Sequence, residues 1–321
     1  MVTIFVSNGK ETRRAAEVEP QWLLPKSGYF VWVNMQCPTE DEARILSEPF
    51  GFHELAIEDA LKEIQTPKIE SYDDHLYLIL HGIDFSVAKH TFATHEVDIF
   101  LGEQFLVTVH DDFSRSVSRM LEVCTRNEFV LAEGPAALLH RIVDGMVDNY
   151  RPEVDKLEAR LDEIEGHVFD SPSQDDIREI LGLKRDVASL RRVVTPQRDV
   201  VGRLSRREFP QISEALSYRF RDVFDHLVRL AEEANLYHDR VTSLLDAHLS
   251  FTSNRLNQVM KTLTIISTIF LPLTVLTGMF GMNVSFPVFP GGEPAQFWWI
   301  VAIMLAIGGV MLWYFNRSKY R

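Results

Sequence analysis

Cysteine is nearly absent from the chain, with only Cys37 and Cys124 among 321 residues. Two cysteines cannot build a disulfide framework or a multi-cysteine zinc site, so we expect most of the protein to lie in a reducing cytosol. The N-terminal stretch MVTIFVSNGKETRR has no basic segment followed by a long apolar core. It therefore lacks the pattern of a signal peptide.

Positive charge is also scarce, since 33 Lys and Arg face 46 Asp and Glu and leave a net charge of −13. The last 67 residues contain one acidic residue, Glu293, and five basic ones: Arg255, Lys261, Arg317, Lys319 and Arg321. This tail carries 5 − 1 = +4, so the first 254 residues carry −13 − 4 = −17. Such an acidic body would repel phosphates, and we expect no nucleic-acid partner.

Charge is missing altogether from 262 to 292, and 262–281 forms an apolar run long enough to cross a ~30 Å hydrocarbon layer. A second run covers 297–315. The loop 282–296 has no Lys or Arg, whereas basic residues precede the first run and form the C-terminal segment 316–321. The positive-inside rule predicts two spans of the cell membrane with both termini cytosolic. A helical hairpin buried in a soluble protein is the alternative.

Neither glycine nor proline occurs between Gln211 and Leu271, and this stretch is rich in Leu, Glu, Arg and Ala. We predict one helix of about 60 residues, because strong helix formers run without a break. It would form a stalk over 211–281 that continues into the first span. Residues 131–210 are predicted to form a cytosolic helical layer, with long helices over 135–169 and 173–204.

The first 130 residues have a different pattern, in which short β-branched runs alternate with helical periodicity. Predicted strands are Thr3–Val6, Tyr29–Val33, His75–Leu80, Val97–Leu101 and Phe105–Val109, and predicted helices are Glu40–Phe50, Leu55–Glu63 and Arg115–Arg126. The predicted fold is therefore an α/β cytosolic domain, followed by long α-helices and a two-helix transmembrane hairpin.

One stripe of the long helix is small and polar within the membrane, at the 3.5-residue spacing of helices that pack side by side. Its members are Asp246, Ser250, Ser253, Asn257, Met260, Thr264, Ser267, Leu271, Thr274, Gly278 and Gly281. Helix packing through small residues is one interpretation. The other is a pore wall, which two spans can build only as part of a homo-oligomer. Rings of Asp246 and Asn257 oxygens would then select cations.

The motif Gly281-Met282-Asn283 stands at the outer end of the first span. With LTIISTIFLPLT before it, a second span after it and a basic C-terminus, the chain resembles the CorA family of divalent-cation transporters. The segments HELAIEDAL (53–61), PKIE (67–70) and FRDVFDH (220–226) are also similar to family segments. The resemblance implies a funnel-shaped homopentamer with one pore-lining helix per subunit. It implies magnesium as the main substrate, with cobalt and nickel also carried, and no organic cofactor.

The resemblance places the selectivity filter at Gly281, Met282 and Asn283. Magnesium gives up its waters reluctantly, so a ring of Asn283 amides that hydrogen-bonds the hydrated ion would suit it. A helix C-cap is the alternative role of Asn283. Other pore-lining positions are then Asn257 and Thr274, which would hold water around the ion, and the apolar constrictions Met260, Leu263 and Leu271.

The resemblance also implies a regulatory magnesium site between cytosolic subunits. The matching carboxylates are Asp59 and Asp222, with Glu58 and Asp144 as candidates for a neighbouring site. Carboxylates brought together across an interface repel, and a divalent cation neutralises and bridges them. Without the resemblance, these carboxylates would be interpreted as solvent-exposed residues on helices.

Enzyme motifs are incomplete or missing. His53-Glu54 and His95-Glu96 begin like a zincin motif, but Ile57 and Ile99 stand where the second histidine is needed. No Walker A or GxSxG sequence occurs, so we predict that the protein is not an enzyme and that the ion gradient drives transport. Two alternatives stay open: a zinc or broad divalent-cation transporter of the same fold, and a membrane-anchored coiled-coil sensor that does not conduct.

Overall fold

The structure is a computed structural model that describes residues 1–62, 65–86, 91–110, 113–126, 130–170, 176–282, 290 and 292–318. It divides into two compact units, Met1–Leu245 and Asp246–Arg321. The described elements of the first unit begin with a sheet and end with long helices. The described part of the second unit contains the two apolar runs, and both are helical. The predicted combination of an α/β domain, long helices and an apolar C-terminal helix is confirmed.

The first unit is built on a seven-stranded sheet with the order β2-β1-β3-β7-β6-β5-β4. The strands are β1 (Val2–Ser7), β2 (Thr12–Ala15), β3 (Phe30–Gln36), β4 (Lys68–Ser71), β5 (His75–Ser86), β6 (Thr91–Gly102) and β7 (Phe105–His110). Neighbouring strands are antiparallel except β3 and β7, which pair in parallel with Val31 opposite Phe105. The two four-residue edge strands, β2 and β4, were absent from the sequence prediction, because their polar residues give no hydrophobic alternation.

Alternate residues of each strand enter two different cores, as the two-residue period of a strand requires. On one face, Trp32, Leu78 and Ile99 belong to the large core that also contains the long helices. On the other face, Val31, Val33 and Tyr77 pack with α1 (Glu40–Ser47) and α2 (Glu54–Lys62). Because both faces are covered, the central strands carry apolar residues on both faces, with a few buried polar residues among them.

The remaining helices of the first unit are α3 (Arg115–Arg126), α4 (Pro135–Asp148), α5 (Tyr150–Asp170) and α6 (Asp176–Ser205). A single helix was predicted over 135–169, but α4 ends at Asp148 and α5 begins two residues later. Pro152 gives the reason, because it has no N–H to donate to the carbonyl of Asp148. The helix is interrupted where that hydrogen bond is missing.

The long helix α7 (Glu214–Phe280) contributes residues to both units. Its N-terminal part packs in the large core through residues such as Phe220, Leu227 and Ala234. Beyond Leu245 it carries the first apolar run and passes Pro272 without ending. The second apolar run lies in α8 (Glu293–Ser318). Both helices are long and apolar enough to cross a membrane. The apolar stretch of each has a mean hydropathy of 1.9, and none of its residues is buried.

Candidate functional site

The polar stripe of α7 lies on an uncovered face of the helix in the second unit. Asp246, Asn257, Ser267, Thr274 and Gly278 are all exposed. The apolar members of the predicted pore lining are equally uncovered: Met260, Leu263 and Leu271 are 60%, 56% and 69% exposed. A different face carries half-buried residues, including Ile265, Ile269, Leu273 and Leu276. Within one chain the stripe is therefore available for contact with something outside that chain.

Hydroxyl groups along α7 donate back to the backbone of the same helix. The Thr274 hydroxyl donates to the Phe270 carbonyl at 2.8 Å, and Thr264 donates to the Met260 carbonyl at 2.7 Å. A hydroxyl that has used its hydrogen in this way keeps its lone pairs as acceptors. Thr274 can thus offer an oxygen to a hydrated cation.

α7 ends where the three-residue motif begins. The Gly281 N–H donates to the Thr277 carbonyl at 2.9 Å, and the Met282 N–H reaches the Met279 carbonyl at 3.4 Å. A Cβ at Gly281 would lie 3.0 Å from the same Thr277 oxygen, so a side chain there would crowd the last turn. Gly281 and Met282 belong to the described chain, whereas Asn283, the predicted filter amide, lies outside the described residues.

Two of the predicted regulatory carboxylates are paired with lysines of the same chain. Asp59 of α2 meets the ammonium of Lys68 of β4 at 2.7 Å, and both side chains are 27% exposed. Glu58 is 3.5 Å from Lys62 one turn along the exposed surface of α2. Neither lysine partner was predicted from the sequence. Lys68 in particular lies nine positions from Asp59 on a different element.

The other two predicted carboxylates lie near each other where α4 and α7 pack. Burial raises the pKa of Asp144, and the negative charges of Asp148 and Asp222 raise it further, while His140 and His226 oppose the shift. Burial lowers the pKa of His140. The ionised form of Asp144 is therefore disfavoured, mainly by burial and further by the neighbouring carboxylates. Asp148 and His226 were not among the predicted site residues.

The carboxylates do not complete a metal site within one chain. Over the part of the chain that the structure describes, no three His, Cys, Asp or Glu side chains have the arrangement needed to hold a metal ion. Asp144 and Asp222 are brought together, whereas Asp59 and Glu58 stand on α2 with lysine partners.

Comparison with known proteins places these features in a family. The family model described as "CorA-like Mg2+ transporter protein" matches residues 27–317. YfjQ of Bacillus subtilis (strain 168), named as a metal ion transporter, is 33% identical over 295 residues, which are 90% of this chain and 89% of that protein. The cobalt/magnesium transport protein CorA of Thermotoga maritima is 30% identical over 320 residues, or 97% and 90% of the two chains.

More distant matches extend the comparison. The zinc transport protein ZntB of Yersinia pseudotuberculosis serotype O:1b is 24% identical over 293 residues and covers 90% of this chain and 87% of that protein. Among solved structures, the complete CorA magnesium transporter of Methanocaldococcus jannaschii superposes with a TM-score of 0.82 at 24% identity, covering 99% and 98% of the two chains. That likeness supports the fold along nearly the whole chain.

Proposed function

The chain belongs to the CorA-like family of Mg²⁺ transporter proteins, and from this premise we propose that it is a channel for hydrated magnesium gated by cytosolic magnesium. Membership makes it a membrane protein that carries divalent cations. The prediction that it is not an enzyme is confirmed, because the family consists of ion transporters. The choice of ion, the assembly and the gating are parts of the proposal.

The uncovered stripe of α7 carries the proposal. A helix surrounded only by lipid would present apolar side chains on every face, but this one also exposes the polar residues Asn257, Ser267 and Thr274. Along the same stripe they alternate with the exposed apolar residues Met260 and Leu271. Five copies that turn this stripe toward a common axis would enclose a path lined by oxygens and interrupted by apolar rings. Such rings close by dewetting and open when they widen.

Magnesium suits this lining better than an ion that sheds water easily. It keeps a near-octahedral shell of waters, so neutral oxygens that bind the shell can admit it. The proposed filter is Gly281, Met282 and the amide of Asn283, followed by Thr274 and Asn257 toward the cytosol, with Asp246 at the cytosolic end. With both termini cytosolic, a membrane potential of 100 mV favours entry of a divalent ion by about 4.6 kcal/mol, twice the value for one charge.

Gating is proposed to use the carboxylates of the first unit at contacts between subunits. Asp59 and Asp222 would bind one magnesium ion, and Glu58 and Asp144 a neighbouring one. Burial is the main cause of the raised pKa of Asp144, and the negative charge of Asp148 raises it further. A divalent cation would relieve that second, repulsive contribution, which supports this role. A magnesium-loaded interface would hold the subunits together, and loss of the ion would release them.

Zinc is the second candidate substrate, and its specific support is the match to ZntB over most of both chains. Flux into liposomes distinguishes the candidates when Mg²⁺, Co²⁺ and Zn²⁺ are tested in parallel on the full chain. We expect magnesium flux that Asn283→Ala abolishes and that Ser285→Ala, a matched change in the same loop, leaves intact. Zinc flux without magnesium flux would support the second candidate. Absence of any flux would leave a non-conducting sensor.

A further inference from the structure

A cation of the same chain already occupies the carboxylate of Asp59. The Lys68 ammonium lies 2.7 Å from Asp59 Oδ2 and 2.9 Å from Glu70 Oε1. The second oxygen of Asp59, Oδ1, accepts from the Gln65 side-chain amide at 3.4 Å. Both oxygens of Asp59 are thus engaged before any metal arrives, and only 27% of each side chain of the Asp59–Lys68 pair is exposed.

Charge at this site is only partly balanced. One ammonium faces two carboxylates, Asp59 and Glu70, so the group keeps a net charge of −1. Tyr72 adds a neutral donor, since its hydroxyl donates to Glu70 Oε2 at 3.2 Å. Burial by itself would lower the pKa of Lys68, but hydrogen bonds to Asp59 and Glu70 raise it above the ordinary lysine value. Lys68 therefore stays protonated across the physiological range.

We propose that Lys68 is a built-in counter-ion that a cytosolic divalent cation must displace from Asp59, and that this competition sets both the threshold and the charge selectivity of the sensor. The inference rests on the proposed function, because it takes Asp59 as a ligand of the regulatory ion. Carboxylate oxygens are the ligands that Mg²⁺ prefers, so the group fits the ion once the ammonium has moved.

Competition with an ammonium discriminates by charge. A potassium ion carries the same charge as Lys68 but cannot form the directed hydrogen bonds of an ammonium group. Replacing Lys68 by potassium at Asp59 is therefore not favourable. A divalent ion brings twice the charge to the same carboxylate and can also bind a ligand from a neighbouring subunit. Only the divalent ion gains enough to displace Lys68.

Glu70 makes the displacement feasible. The flexible stem of Lys68 allows the ammonium to leave Asp59 while it keeps Glu70, which already lies 2.9 Å away and is 44% exposed. The released charge is therefore never buried alone, and the exchange requires no unfolding. Glu70 consequently weakens the hold of Lys68 on Asp59, and its removal should strengthen that hold.

The test is a magnesium titration of the full chain in detergent, with chymotrypsin cleavage as the readout, because chymotrypsin does not cut at Lys, Gln or Arg. Lys68→Gln keeps a hydrogen-bond donor without the charge, and Lys68→Arg keeps the charge. We expect Lys68→Gln to lower the half-protecting Mg²⁺ concentration by about tenfold and to make potassium partly protective. Lys68→Arg should stay near the wild type, and Glu70→Gln should raise that concentration.

Lys10→Gln is the control for net charge, since Lys10 has no carboxylate partner in the described part of the chain. Opposite shifts for Lys68→Gln and Glu70→Gln support the proposal, because a general loss of stability would move both the same way. An unchanged threshold in Lys68→Gln, with normal protection of the wild type, overturns it. If the wild type is not protected at all, the proposed gating fails. In that case, the magnesium affinity of the wild type and of Lys68→Gln is measured by calorimetry. If Lys68→Gln does not bind magnesium more tightly than the wild type, the proposed role of Lys68 is overturned.

Discussion

A methyl group at Gly202 of α6 would collide with a ring of α7. A Cβ built there lies 2.9 Å from Phe224 Cε2 and 3.2 Å from Cδ2, well inside the usual carbon–carbon separation of about 3.5–4.0 Å. Gly166 of α5 offers a matched comparison, because it is also helical but a Cβ there meets nothing within 4 Å. The substitution to alanine should therefore have opposite effects at the two positions.

Two effects of known size compete at Gly202. Alanine in place of glycine inside a helix stabilises it by about 1 kcal/mol. Overpacking a filled interior costs about 1–3 kcal/mol. The net change for Gly202→Ala is a loss of about 0–2 kcal/mol, whereas Gly166→Ala keeps the full gain of about 1 kcal/mol. In a domain of this size, 1 kcal/mol moves the melting temperature by about 2–4 °C.

Thermal unfolding of the full chain in detergent, followed by circular dichroism, measures both variants against the wild type. We expect Gly166→Ala to melt higher and Gly202→Ala to melt at the same temperature or lower. In a Phe224→Leu background, where the ring is gone, Gly202→Ala should become stabilising. If Gly202→Ala alone gains as much as Gly166→Ala, the ring yields freely and the packing argument is wrong.

Two further predictions concern buried polar groups of the first unit. Tyr150→Phe should lower the free energy of unfolding by about 1–3 kcal/mol, because the buried Tyr150 hydroxyl donates to the His81 carbonyl at 2.6 Å; an unchanged melting temperature would contradict this. Asp144→Asn should stabilise the magnesium-free protein at pH 8. Its folded-state pKa is raised by burial and by Asp148, so ionisation destabilises the fold as pH rises through that pKa. The gain should vanish below the ordinary carboxyl pKa, and melting curves across pH would show a constant gain if titration of Asp144 plays no part.

The membrane helices and central strands could be predicted because their patterns are long and strong. α7 contains no glycine or proline before Pro272, and most residues of β3 and β7 are apolar. The edge strands β2 and β4 were missed because each has only four residues and a single apolar one, Ala15 or Ile69, which gives no hydrophobic alternation. The order of strands in the sheet and the parallel pairing of β3 with β7 could not be predicted, because they depend on contacts between residues far apart in sequence.

The residues of the site were predicted from sequence motifs and not from their positions in the fold. Residues that lie at the site but outside those motifs were therefore not predicted. Asp59 was found through HELAIEDAL, but its partner Lys68 lies on a different element, β4. Helical spacing cannot bring positions nine apart on two elements into contact. Asp148 stands four residues after Asp144 on α4, so the two carboxylates share one helix face. This spacing could have identified Asp148 from the sequence.

The parallel pairing of β3 with β7 also affects the order of events during synthesis. β7 ends at His110, and the first apolar run begins at 262, so 262 − 110 − 1 = 151 residues separate the two. At about 5–20 residues per second, the ribosome needs roughly 8–30 s to make that stretch. Mixed α/β sheets form within milliseconds to seconds. The sheet therefore has time to close before the first membrane span is made.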